Sequence, residues 1–110
     1  MILALIELTP TPDKREQILE CLRFSVDRLG GKPGCLSSGV YQADDEKGTI
    51  LYLERWESEE ALHRHIQSNL YLGVLNAMDL AMEPREITFY EISDTKSMEL
   101  IVALRTANVG

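Results

Sequence analysis

Four residues near the middle of the chain have side chains that could bind and deprotonate a planar aromatic molecule. Tyr52, Glu54 and Trp56 alternate along one segment, and His65 follows nine residues after the tryptophan. Histidine exchanges protons near neutral pH, and a tryptophan ring can form one wall of a site for a flat substrate. The pattern therefore allows such a molecule to bind beside Trp56, with His65 as a base that takes its proton.

The same residue types also have purely structural interpretations, which the sequence leaves open. Trp56 could be a core anchor whose N–H finds a local partner, and Glu54 could pair with an arginine such as Arg64 or Arg85. His65 could be a packing histidine at the corner between a strand and a helix, whereas the other histidine should face solvent. Three tyrosines could be wall residues or half-buried packing groups: Tyr41, Tyr71 and Tyr90.

Composition and charge exclude several classes of protein. The chain has 110 residues, with 11 Lys and Arg against 18 Asp and Glu, so its formal net charge is −7. This balance, without a basic cluster, argues against nucleic acid and anionic membrane partners. No apolar run approaches a membrane span, and no secretory signal is evident. Cys21 and Cys35 fit neither a disulfide framework nor a zinc spacing, so we expect reduced thiols, a cytoplasmic location and no metal.

Hydrophobic periodicity predicts the order β-α-β-β-α-β, with additions towards the C-terminus. The strands are predicted at 2–8, 35–43, 49–57 and 85–92, and the helices at 13–29 and 59–68. A further helical stretch at 70–82 should be interrupted at Gly73, and a last strand is expected at 98–104. The order indicates an α+β ferredoxin-like fold. Because the strands are apolar on both faces, one sheet face should pack on a second copy of the chain, forming a homodimer.

Three short motifs, in this order, resemble those of a known family. Pro33-Gly34-Cys35 precedes the second strand, Glu54-x-Trp56 ends the third, and Glu60-Ala61-Leu62-x-x-His65 lies on the following helix. Over residues 1–93 the chain resembles the antibiotic biosynthesis monooxygenase (ABM) family of the dimeric α/β-barrel superfamily. The resemblance implies ferredoxin-like subunits whose two sheets form a shared barrel, with a pocket between sheet and helices in each subunit.

The resemblance also carries an expectation of function. Several members of this family oxidise quinols or polyketide phenols with O₂ and use neither metal nor flavin. By that likeness we predict a cofactor-independent monooxygenase for a small planar aromatic substrate, with His65 as the catalytic base. Its substrate-binding residues are predicted to be Trp56, Tyr52, Glu54 and Tyr71.

Two alternatives are a dimer of the same fold that binds a small molecule without catalysis, and a heme-binding or heme-degrading protein. Heme-degrading members pair a helical histidine and a tryptophan with an asparagine on the first strand, and residues 1–8 contain no asparagine. We predict two regions, an ABM-like domain at 1–93 and a C-terminal strand or tail at 94–110, the latter at the dimer interface.

Overall fold

Eight elements follow one another along the chain in a computed structural model that describes residues 1–81 and 85–107. The strands are β1 (Ile2–Leu8), β2 (Cys35–Gln42), β3 (Ile50–Trp56) and β4 (Arg85–Glu91). The helices are α1 (Arg15–Leu29), α2 (Glu59–Ile66), α3 (Tyr71–Leu80) and α4 (Met98–Ala107). The predicted order β-α-β-β-α-β is confirmed, with α3 as the additional helix between α2 and β4.

The four strands form one antiparallel sheet in the order β2-β3-β1-β4. β1 lies between β3 and β4, with Ile2 opposite Trp56 on one side and Glu91 on the other. β2 and β3 are neighbours joined by a short loop, so the predicted hairpin is confirmed. This arrangement is the α+β ferredoxin-like fold.

The two faces of the sheet differ because side chains alternate along each strand. The even-numbered residues of β1 and β3 are buried on the face that the helices cover. Leucines at the odd-numbered positions are only partly buried and form what we call the open face: Leu3, Leu5, Leu51 and Leu53. The prediction that both faces are apolar is confirmed.

α3 is one continuous helix, so the predicted interruption at Gly73 is wrong. The glycine instead lets α3 approach α1 closely, because a Cβ at this position would lie 3.1 Å from the Ser25 hydroxyl and 3.6 Å from the Cys21 carbonyl oxygen. The end predicted for this stretch, Met82, lies outside the described residues.

The C-terminal strand predicted at 98–104 is also wrong, because the segment forms α4. A short continuous apolar run fits a strand or a helix equally well, so its flanking residues decide. Ser97 donates a hydrogen bond to Glu99 in the first turn, and Arg105 lies in the last turn, where each charge suits the helix dipole. The apolar side chains of α4 are 44% to 65% exposed: Met98, Leu100, Ile101, Val102 and Leu104.

No helix in the described part of the chain is both long enough and apolar enough to cross a membrane.

Candidate functional site

Strand β3 places three polar or aromatic side chains in a row beneath the helices. Tyr52, Glu54 and Trp56 alternate with outward-facing residues, so they share the covered face of the sheet. They are 1%, 1% and 2% exposed, respectively. A carboxyl group at this depth is stable only with hydrogen-bonding partners, so its neighbours decide what it can do.

A tight corner between β3 and α2 brings His65 to this row. Ser58 caps α2, since its hydroxyl accepts a 3.2 Å hydrogen bond from the backbone N–H of Ala61. Gly34, at φ +85°, lets the preceding turn lie against the helix, because a Cβ there would be only 2.4 Å from the Ala61 Cβ. One turn beyond Ala61, the His65 ring therefore faces inwards and is 6% exposed. His63 is exposed, as predicted.

Glu54 is the centre of a buried hydrogen-bond network that we call the Glu54 network. The Tyr52 hydroxyl donates to Oε2 of Glu54 at 2.5 Å, and the Trp56 indole N–H donates to Oε1 at 2.9 Å. Nε2 of His65 lies 2.9 Å from Oε2. The acid thus pairs with a histidine, and the alternative of an arginine partner at Arg64 is not observed. All three neighbours are satisfied when Glu54 is a carboxylate that accepts three bonds.

This arrangement selects one tautomer of His65. If Nε2 carries the hydrogen and donates a hydrogen bond to Glu54, the other ring nitrogen, Nδ1, has a free lone pair in the neutral ring. Nδ1 makes no hydrogen bond to any described residue. Within residues 1–81 and 85–107 no fully buried side-chain polar atom lacks a hydrogen-bond partner, so Nδ1 is not sealed in the core. It is the nitrogen left for an incoming group.

Two aromatic rings hold the imidazole in place. The Trp56 and His65 rings stack with centroids 4.8 Å apart and planes inclined by 27°. Tyr71, at the start of α3, makes a T-shaped contact with His65, with ring centroids 5.1 Å apart. Together with the bond to Glu54, these contacts leave His65 little rotational freedom.

A cleft of about 410 Å³ opens beside the stacked rings, and we call it the Trp56–His65 cleft. It lies between α2, the corner leading to α3 and the turn before β2. Its lining residues are Lys32, Pro33, Trp56, Ala61, Arg64, His65, Ser68, Asn69 and Leu70. The volume is within the usual range of small-molecule sites, roughly 300 to 1,000 Å³.

The structure separates the predicted site residues into two groups. Trp56 and His65 line the cleft, whereas Tyr52, Glu54 and Tyr71 are not among its lining residues. Tyr52 and Glu54 lie behind the two rings as hydrogen-bonding partners, and Tyr71 supports the imidazole.

Sequence reasoning did not assign four polar residues that line the cleft: Lys32, Arg64, Ser68 and Asn69. Arg64 and Ser68 could have been predicted, because they lie close to His65 in the sequence. No feature of the sequence indicated Lys32 or Asn69.

Burial and the charge of Glu54 keep the neighbouring tyrosine hydroxyls and the Cys35 thiol protonated. Burial is the larger cause and the Glu54 charge the second, and both raise the pKa of Tyr52, of Tyr71 and of the Cys35 thiol above their ordinary values. Tyr52 therefore stays a hydrogen-bond donor to Glu54, and Cys35 stays a neutral packing thiol near the network. Both cysteines of the chain are free.

The described residues contain no cluster of three or more His, Cys, Asp or Glu side chains that could hold a metal ion. The pair of Glu54 and His65 supplies only two such ligands, and they are bonded to each other.

Sequence comparison places this site in a known context. Residues 1–75, which include the whole Glu54 network and Tyr71, match the family described as Antibiotic biosynthesis monooxygenase. An uncharacterized protein from Synechocystis is 30% identical over 88 residues, covering 79% of this chain and 60% of that protein. The chain thus spans less than two thirds of this relative.

Solved structures share the fold over most of the chain. A protein from Mycobacterium tuberculosis is 25% identical with a TM-score of 0.77, covering 87% of this chain and 98% of that one. A protein from Deinococcus radiodurans reaches a TM-score of 0.78 at 19% identity, covering 89% and 98%, respectively. At that identity the second likeness concerns the fold alone.

Proposed function

The chain belongs to the antibiotic biosynthesis monooxygenase family, and from this premise we propose that it oxidises a small, planar, quinol- or phenol-like aromatic substrate with O₂. The observation that carries the proposal is the 2.9 Å contact between Nε2 of His65 and Glu54, which leaves Nδ1 as the second nitrogen of a histidine that lines the cleft. The roles of the individual residues follow from this contact.

His65 is the proposed base. Nδ1 takes the hydroxyl proton of the bound substrate, and the Glu54 carboxylate stabilises the imidazolium that forms at Nε2. Trp56 is the aromatic wall against which the substrate ring lies. Tyr52, Glu54 and Tyr71 act as positioning residues, because they hold His65 and Trp56 and do not line the cleft.

The reaction balances with the substrate as the only reductant. For a naphthalenediol, the anion formed by His65 gives one electron to O₂, and the two radicals join through a new carbon–oxygen bond. The proton returns to the peroxide, and loss of water then breaks the O–O bond. One oxygen atom remains in the hydroxyquinone product, and the other leaves as water with the two hydrogens that the substrate loses.

The proposal includes a homodimer. The leucines of the open face are partly exposed, Tyr41 beside them is 53% exposed, and the apolar side chains of α4 are 44% to 65% exposed. Exposed apolar surface of this extent is typical of an interface. A second copy packed sheet to sheet would cover the open face, and α4 would add to the same contact.

Oxygen consumption tests the catalytic proposal. Naphthalenediols and related quinols would be supplied to the wild-type protein, to His65→Ala and to His63→Ala, with a metal chelator present. The His63→Ala variant is the matched control, because this histidine lies on the same helix but is exposed. We expect uptake above the autoxidation background in the wild type and the control, and its loss in His65→Ala.

Two results would contradict the proposal. Uptake that is unchanged in His65→Ala would remove this residue as the base. Saturable binding of the same compounds by calorimetry, without uptake by any variant, would instead indicate a protein that binds an aromatic molecule without oxidising it.

A further inference from the structure

Two cationic residues and no acidic residue line the Trp56–His65 cleft. Lys32 lines it from the turn before β2, and Arg64 lines it from α2. No aspartate or glutamate is among its lining residues. In a chain of net charge −7, two cations without an acid in one small cleft are a local reversal of charge.

Neither cation is committed to an acidic partner. Within the described ranges, neither Lys32 nor Arg64 forms an ion pair, although ion pairs join Arg23 to Glu16 and Lys96 to Asp94 elsewhere. Glu60 precedes Arg64 by one helical turn, a spacing at which acid–base pairs commonly form, and it makes no such pair here. Both cations therefore remain available to a ligand.

The polarity of the cleft changes from its inner wall to its rim. Trp56 and His65, which form the wall, are almost fully buried, whereas Lys32 and Arg64 are exposed. A flat ring would lie against the wall with a hydroxyl group near Nδ1 of His65. Any charged substituent on that ring would then point towards the rim, where the cations are.

We propose that the substrate is a hydroxylated aromatic carboxylate whose carboxylate group is held by Lys32 and Arg64. This inference rests on the function proposed above and specifies its substrate class. Guanidinium and ammonium groups bind carboxylates through charge-assisted hydrogen bonds, and the planar fork of arginine matches the two oxygens. Asn69 at the same rim adds a neutral amide that can donate to a carboxylate oxygen.

Calorimetric titration with two probes that differ only in the carboxylate tests the inference. The probes are 1-hydroxy-2-naphthoate and 1-naphthol, each titrated into wild type and into the double variant Lys32→Gln, Arg64→Gln. Lys47→Gln is the matched control, because it removes one exposed lysine that does not line the cleft. We expect the wild type and the control to bind the naphthoate at least about tenfold more tightly than the naphthol. The double variant should lose this preference while its affinity for the naphthol stays within about twofold.

The possible failures are distinguishable. Equal affinity for both probes in the wild type would overturn the carboxylate inference and leave the proposed oxidation intact. A preference that survives in the double variant, or that falls equally in Lys47→Gln, would overturn the role given to Lys32 and Arg64. If neither probe binds to the wild-type protein, the result would count against an aromatic substrate and therefore against the proposed function.

Discussion

Nε2 of His65 lies 2.9 Å from Oε2 of Glu54, and both residues are almost completely buried although eleven positions separate them in the chain. A paired histidine and carboxylate at this depth can act as an oriented base. It can equally serve as a polar support between strand and helix, since every donor around Glu54 is satisfied. The two roles are separated by variants that change the proton positions while keeping the shape of the side chain.

Glu54→Gln should destabilise the protein and release His65 from its tautomer. An amide has one accepting oxygen, so its NH₂ group must face at least one of the donors Tyr52, Trp56 and His65. We expect the free energy of unfolding to fall by about 1 to 3 kcal/mol. Long-range ¹H–¹⁵N spectra should show the Nε2–H form of His65 in the wild type and a changed pattern in the variant. Glu57→Gln, an exposed neighbour, is the control. An unchanged His65 spectrum in Glu54→Gln would show that this carboxylate does not orient the ring.

Gly34→Ala should displace α2 and thereby disturb the site from a distance. The new Cβ would lie 2.4 Å from the Cβ of Ala61, and the residue would keep a φ of +85°. Backbone strain of about 1 to 2 kcal/mol adds to overpacking of about 1 to 3 kcal/mol, so we expect a loss of roughly 2 to 5 kcal/mol in denaturant unfolding.

Gly31→Ala is the matched control for that loss. Gly31 has a φ of +82°, but a Cβ added there would meet no atom within 4 Å, so only the strain of about 1 to 2 kcal/mol applies. If the two variants lose the same free energy of unfolding, the residues around Ala61 accommodate the added methyl group without cost. The stacking of His65 on Trp56, followed by tryptophan fluorescence, should change in Gly34→Ala alone.

The fold and the arrangement on β3 were largely predictable from the sequence, because both depend on local periodicity. Alternation along a strand puts Tyr52, Glu54 and Trp56 on one face whatever the rest of the chain does. The bond between Glu54 and His65 was not predictable, because it depends on how tightly α2 turns back onto the sheet. Lys32 reaches the cleft from a turn more than thirty positions before His65, and no periodic pattern connects the two.

The free energy of unfolding should fall as the pH rises above 10, because two buried tyrosines keep their protons in the folded state and lose them in the unfolded chain. Burial and the charge of Glu54 raise the pKa of Tyr52 above its ordinary value of 10.0, and the pKa of Tyr71 moves in the same direction. Below pH 10 both folded and unfolded states keep these protons, so the stabilisation is complete. Above it the unfolded chain loses protons first, and the free energy of unfolding falls as the pH rises.

Tyr52→Phe measures this contribution. Tyr52 alone accounts for a slope of up to about 1.4 kcal/mol per pH unit above pH 10. The free energy of unfolding would be measured with urea at a series of pH values for the wild type and the variant. The difference between the two should be constant below pH 9, and above pH 10 the free energy of unfolding should fall less steeply in the variant. Identical slopes above pH 10 would show that Tyr52 loses its proton equally well in the folded state.

Removal of residues 98–110 should weaken the proposed dimer without unfolding the domain. The apolar side chains of α4 are exposed within the chain, and the buried core is formed by residues of the preceding elements. Deletion therefore costs the single subunit little buried surface, whereas a partner that covers α4 would lose an apolar contact. We expect sedimentation of the full chain as a dimer at low micromolar concentration and of the shortened chain as a concentration-dependent mixture. Thermal unfolding of the shortened chain at high concentration provides the folding control. A shortened chain that remains fully dimeric at low micromolar concentration would show that the open face alone holds the subunits together and that α4 has another role.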